Sequence, residues 1–162
     1  MVKYIVYTSN TGYTKKYAEL LSERLLIPAI DLKAAKGRVP RKAEIIYMGW
    51  IRAGGLVGYG KVKRRYDVRG IVGVCLGASG SQIDGLAKRC RPKNGVPIFT
   101  VQGGMDRDRL TGINKSMIDM LVKMLRAKDD KTEDECKMLE MIEGGGDFLN
   151  PDNLDPIVEC FS

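Results

Sequence analysis

Histidine is absent from this chain. That removes Ser-His-Asp and Cys-His catalysis and any imidazole metal ligand. Cysteine is sparse. Cys75, Cys90, Cys136 and Cys160 lie far apart with no C-x-x-C pair, which points to neither zinc nor a dithiol redox motif. Reduced thiols in a cytoplasmic protein are the expectation. Long apolar runs are missing too: nothing approaches the ~20 residues of a membrane span, so no transmembrane segment is expected. The apolar start alternates with polar residues and is only about six residues long, too short for a signal peptide. The sequence contains no G-x-x-x-x-G-K-[S/T], and no G-x-G-x-x-G follows its first apolar run. With so few groups suited to acid–base or nucleophilic work, the chemistry is expected to come from a bound cofactor.

What is present is one domain's worth of chain, 162 residues, long enough to bury a full core. Its charge is uneven. Residues 1–127 carry 24 Lys and Arg against nine Asp and Glu, whereas residues 128–162 carry three against eleven. The basic part suits acidic partners or peripheral contact with a membrane surface. The basic residues are dispersed and lack an RNA-binding motif or a recognition-helix pattern, so no nucleic acid is expected.

Apolar runs recur at wide spacing with helical patterns between them, which predicts a parallel α/β sheet. Strands are expected at Val2 to Tyr7, Pro28 to Leu32, Glu44 to Met48, Ile71 to Leu76 and Pro97 to Val101. A glycine-rich loop is expected from Gly49 to Gly60. Thr14 to about Leu26 reads as the first helix, with Tyr17, Leu21 and Leu25 on one face. Ile113, Met117, Met120, Leu121 and Met124 repeat at helical spacing. A core stripe is the reading favoured for them, and an adaptable binding surface the other. Cys136, Leu139 and Ile142 read as the docked face of a further helix, and a last helix is expected from about Pro151 to Phe161.

The segment Tyr4 to Leu21 carries the most information. A strand delivers its carboxyl end through Thr8-Ser9-Asn10-Thr11-Gly12-Tyr13-Thr14 into the amino end of a helix. Such a turn offers backbone N–H groups and small hydroxyls, and the helix dipole favours negative charge, which together suit a phosphate. No lysine or arginine lies between Thr8 and Thr14, so neutral donors are expected to hold it. The bland alternative is a turn capped by Thr14 with no ligand.

Ser9-Asn10-Thr11-Gly12-Tyr13-Thr14 resembles the first loop of the flavodoxin family, roughly [T/S]-x-T-G-x-T, which wraps the phosphate of FMN. The resemblance covers nearly the whole chain. It implies a flavodoxin-like three-layer sandwich with a five-stranded parallel sheet of order 2-1-3-4-5. Ligands of such sheets sit beyond the carboxyl ends of the strands, where the order reverses. That implicates Thr8 to Thr14, then Gly49, Trp50, Ile51, Arg52, Ala53 and Gly54, then Gly77, Ala78 and Ser79. Ala53 falls near the family's usual ring-stacking aromatic, and the loop after strand 4 has no aromatic, so an open flavin face is expected. Arg52 is a candidate for tuning the flavin through charge.

Gln102-Gly103-Gly104-Met105-Asp106 and the Ile51-Arg52 pair are distantly similar to the branch containing menaquinone-dependent protoporphyrinogen dehydrogenases, although that branch's long insertion is hard to find here. The resemblance implies an FMN-binding redox protein that exchanges electrons with protein partners, which its basic face would select as acidic. The alternatives are an oxidoreductase acting on a small planar substrate, of quinone or porphyrinogen type, and a flavin-free interaction domain. A phosphoacceptor version of the last is weak, because the first strand does not end in an acidic pair.

Overall fold

A strand covered on both faces must be apolar on both, and Ile5, Val6 and Tyr7 are all buried in β1 (Tyr4–Tyr7). The computed structural model describes residues 1–162, the Met105 side chain excepted. β1 pairs in parallel with β2 (Ala29–Asp31) on one side and β3 (Glu44–Arg52) on the other. β3 continues the sheet to β5 (Asp67–Cys75), and β5 to β6 (Ile98–Gln102), all parallel. The order is therefore β2-β1-β3-β5-β6; numbering these five parallel strands alone, it is 2-1-3-4-5. A short antiparallel strand, β4 (Gly55–Leu56), adds a sixth member alongside the end of β3.

Successive residues of β1 and β3 feed opposite layers. Ile5, Tyr7, Ile46 and Met48 pack under α1 (Tyr13–Leu25) and α7 (Asp155–Phe161), with Tyr17, Leu21 and Ile157. Val6, Ile45 and Tyr47 pack under α2 (Leu32–Arg38), α3 (Tyr59–Arg65) and α4 (Ile83–Cys90), with Ala35, Val62 and Leu86. In β5 the pairing steps from Ile45↔Val68 to Ile46↔Gly70, which leaves Arg69 as the extra residue of a bulge. Its guanidinium leaves the sheet toward Glu44 and Asp67.

Two expectations about this sheet need revision. β3 does not stop at Met48. Gly49 and Trp50 remain paired with Gly73 and Val74, and the strand turns back through Ala53 and Gly54, at φ +48° and +75°. Two left-handed residues joining antiparallel partners make the tight hairpin that matches strand twist. Gly49 serves this hairpin, since a Cβ there would lie 3.0 Å from the Val57 carbonyl. The stretch taken as a loop from Gly49 to Gly60 is thus strand, turn, β4 and the start of α3.

Between β6 and α7 the chain makes an excursion. β7 (Gly104–Met105) and β8 (Gly146–Asp147) pair antiparallel at its base. A 3₁₀ turn at Arg107–Arg109 leads to α5 (Gly112–Ala127) and then α6 (Glu133–Gly144), whose start carries a capping box between Thr132 and Glu135. The methionine stripe of α5 is not core: Ile113, Met120 and Met124 are 74, 63 and 64 % exposed. The opposite face, with Val122 and Leu125, is the buried one, and Val122 meets Ile142 of α6. Cys136 is exposed as well, because only the later part of α6 packs.

Candidate functional site

The loops that leave the carboxyl ends of β1, β3 and β5 meet in one cleft of about 360 Å³, within the usual range for small-molecule sites. It lies where the strand order reverses, between β1 and β3, as doubly wound sheets place their ligands. Ser9, Asn10, Thr11, Tyr13 and Thr14 form its polar part. Trp50, Ile51, Arg52, Ala53 and Gly54 come from the β3–β4 hairpin. Val74, Cys75 and Leu76 close the end of β5.

The β1–α1 loop has the chemistry that a turn for an anion needs. Gly12 sits at φ +101° and gives α1 no side-chain cap, so the first-turn amides lack one. The Gly12 N–H donates to Ser9 Oγ at 3.2 Å, which curls the loop. Thr14 is 2 % exposed and lines the cleft. A residue so placed sets a small hydroxyl beside whatever occupies the cleft.

Thr8 stands apart from this group. Its Oγ1 is 2.9 Å from the Tyr47 hydroxyl, which in turn donates to the Val57 carbonyl at 2.5 Å. Burial pushes the Tyr47 phenol up to about 12, with the Thr8 hydroxyl opposing. Gly49, Gly77, Ala78 and Ser79 also lie outside the cleft lining, and Gly12 shapes the loop from behind. Ser79 Oγ accepts the Gln102 N–H at 2.9 Å, and a Cβ on Gly77 would press within 3.2 Å of Gln82 Nε2. These small residues fix the β5–α4 turn and present Gln82 to the cleft.

Trp50 lines the cleft and carries the Arg52 guanidinium over its ring, 5.6 Å from the centroid. Arg52 also donates to Asn114 Oδ1 at 3.1 Å, which ties the hairpin to α5. The remaining wall belongs to the helix pair: Leu110, Met117, Ile118, Leu121 and Met138 face the hairpin across the cleft. The face expected to stand open is therefore walled by aliphatic and thioether side chains. Sequence reading missed this wall, because nothing local ties α5 to the β1 and β3 loops. Cys75 is no nucleophile in this setting. Burial pushes its thiol up, and Sγ lies 3.3 Å from the Gly77 carbonyl.

Burial also raises the Tyr13 phenol, helped by Asp147 and Asp106 and opposed by Arg109. Arg109 is the second feature that the sequence hid. Its Nη1 donates to the Thr11 carbonyl at 3.4 Å, so a cation does adjoin the loop expected to use neutral donors alone. Among the described residues no group of three or more Cys, Asp or Glu side chains is placed to hold a metal ion, and no helix is long and apolar enough to cross a membrane.

An apolar cleft with two aromatics, Tyr13 and Trp50, and a donor-rich, uncapped helix start fits a ring system bearing a phosphate. The family model described as Flavodoxin domain matches residues 4–132, and the chain belongs to that family. Flavodoxin domains bind flavin, and the matched stretch contains all five parallel strands and the loops of the cleft. No curated protein matches the chain.

Proposed function

We propose that this protein binds FMN in the cleft between β1, β3 and α5 and passes electrons through the flavin. The observation that carries the proposal is the uncapped start of α1, which opens on the cleft beside Ser9, Asn10, Thr11 and Thr14. Thr11, Thr14 and the first-turn amides of α1 would hold the phosphate, with Ser9 bracing the loop. Trp50 and the Ala53-Gly54 turn would lie along the ring, and Arg52 would place positive charge near it. The flavin, when bound, supplies reversible electron uptake, and the chain supplies anchoring, orientation and electrostatics. Partners in this reading are redox proteins, and the basic face of residues 1–127 would select acidic ones.

One observation favours a second reading, an oxidoreductase of a small planar substrate of quinone or porphyrinogen type. The α5–α6 excursion walls the cleft, which suits selection of a small molecule more than an open carrier site. Turnover of a soluble quinone by the reduced protein would support it.

The test is reconstitution of the wild type and a Thr11→Val, Thr14→Val variant. Wild type is expected to take up FMN in a one-to-one complex. The variant is expected to lose FMN affinity by about tenfold or more, with riboflavin affinity unchanged, since each lost hydrogen bond to a charged group removes about 1.5 kcal/mol or more. Equal loss for both flavins would contradict the assigned role of the loop.

A further inference from the structure

We propose that Arg109 is the residue that selects a phosphorylated flavin, and that the phosphate it meets seats the α5–α6 pair over the cleft. The inference rests on the FMN reading above and departs from its neutral-donor form. Arg109 lies 98 residues from Thr11 in sequence, yet its Nη1 donates to the Thr11 carbonyl at 3.4 Å. A Cβ built on Gly12 would lie 3.6 Å from the same nitrogen. The guanidinium is therefore packed on the two residues at the centre of the β1–α1 loop.

Its orientation is fixed from behind. Asp106 Oδ2 holds Arg109 Nε at 3.1 Å, while Asp106 Oδ1 accepts the Asp108 N–H at 3.2 Å. Held by one edge, the planar fork keeps its terminal nitrogens toward the loop, an arrangement suited to phosphate oxygens. Other cations nearby are otherwise engaged: Lys15 pairs with Glu19, and the Lys16 ammonium lies over the Tyr13 ring, 5.4 Å from its centroid. Asp106 and Asp147 are the opposing charges near Tyr13. A phosphate without Arg109 would face these carboxylates with only neutral donors to hold it.

The second half follows from how lightly the helix pair is attached. Its small core of Leu110, Val122 and Ile142 draws only Leu76 from the end of β5. Beyond that, Arg52–Asn114, Tyr13–Gly146 and Arg109–Thr11 are the polar ties to the cleft loops among the described residues. A phosphate gripped by both α1 and Arg109 adds a tie that bridges the two parts. Ligand contact at the base of the pair thus stabilises the wall of the ring site.

The experiment compares wild type, Arg109→Gln and Arg109→Lys in fluorescence titrations with FMN and riboflavin at two salt concentrations. Hydrogen exchange across residues 107–144 is measured with each flavin. Arg109 is exposed, so the glutamine variant is expected to fold, and the lysine variant retains the charge if it does not. Arg109→Gln should weaken FMN binding by about tenfold, leave riboflavin binding unchanged and reduce the salt dependence of the FMN affinity. FMN, more than riboflavin, should slow exchange in residues 107–144 of wild type, and Arg109→Gln should erase that difference. Arg109→Gln that binds FMN as tightly as wild type, with the same salt response, overturns the inference and leaves the FMN reading standing. Wild type that binds neither flavin overturns both.

Discussion

Single side chains in and around the cleft make separable demands. Tyr47 is held as a neutral phenol by burial, with its folded value pushed up to about 12 against an ordinary 10. A group whose folded value is raised contributes stability that is complete below the unfolded value and lost as pH climbs through the folded one. Urea midpoints should therefore fall across roughly pH 10 to 12, and Tyr47→Phe should flatten that fall while costing about 1 kcal/mol at neutral pH for its hydrogen bonds. Gly58 is a stricter case. It stands at φ +85° before α3, and an added Cβ would collide with the Tyr47 hydroxyl and lie 3.0 Å from Thr8 Oγ1. Gly58→Ala should cost about 2–4 kcal/mol in chemical denaturation. Arg52, stacked on Trp50, is expected to raise the two-electron potential of bound flavin. Because the side chain is exposed, Arg52→Ala should lower that potential by about 20 mV in a spectroscopic titration, the equivalent of about 1 kcal/mol. The loop from Ser9 to Thr14 was legible in the sequence because its phosphate-suited groups are contiguous. Arg109 was not, since its tie to Thr11 crosses 98 positions of chain.

At the scale of elements, α5 shows how periodicity misleads. Two apolar series run along it. Of the conspicuous one, Ile113, Met117, Met120 and Met124 are exposed and Leu121 alone packs inward, beside Ile118, Val122 and Leu125 of the other. Spacing identifies a helix without saying which face its neighbours cover, and here α6 and Leu76 take the branched side chains. Met120→Ser with Met124→Ser should change the unfolding free energy by no more than about 1 kcal/mol, whereas Leu125→Ala should cost about 2–4 kcal/mol. The opposite result would restore the core reading of the methionines. β3 was read short for a related reason. Gly49, Ala53, Gly54 and Gly55 look like loop composition, yet two of them, Ala53 and Gly54, make a tight turn between paired strands. The parallel strands were easier, because their buried residues on both faces leave unbroken apolar runs such as Ile71 to Cys75.

For the whole molecule, the sheet order and the position of the cleft followed from the family resemblance carried by the first loop, while the wall across the cleft did not. A helix pair inserted between the last parallel strand and the last helix changes the character of the site without disturbing the sheet. The family match spans the sheet, Arg109 and α5, and α6 follows it to complete the wall. Charge follows the same division, basic across the sheet and α5, acidic from residue 128 onward. Titration of the apoprotein with FMN, followed by quenching of flavin fluorescence, bears most directly on this account. One equivalent bound at micromolar concentration or tighter, in clear preference to riboflavin, is the predicted result. A titration that stays flat, or that fails to discriminate the two flavins, would contradict it.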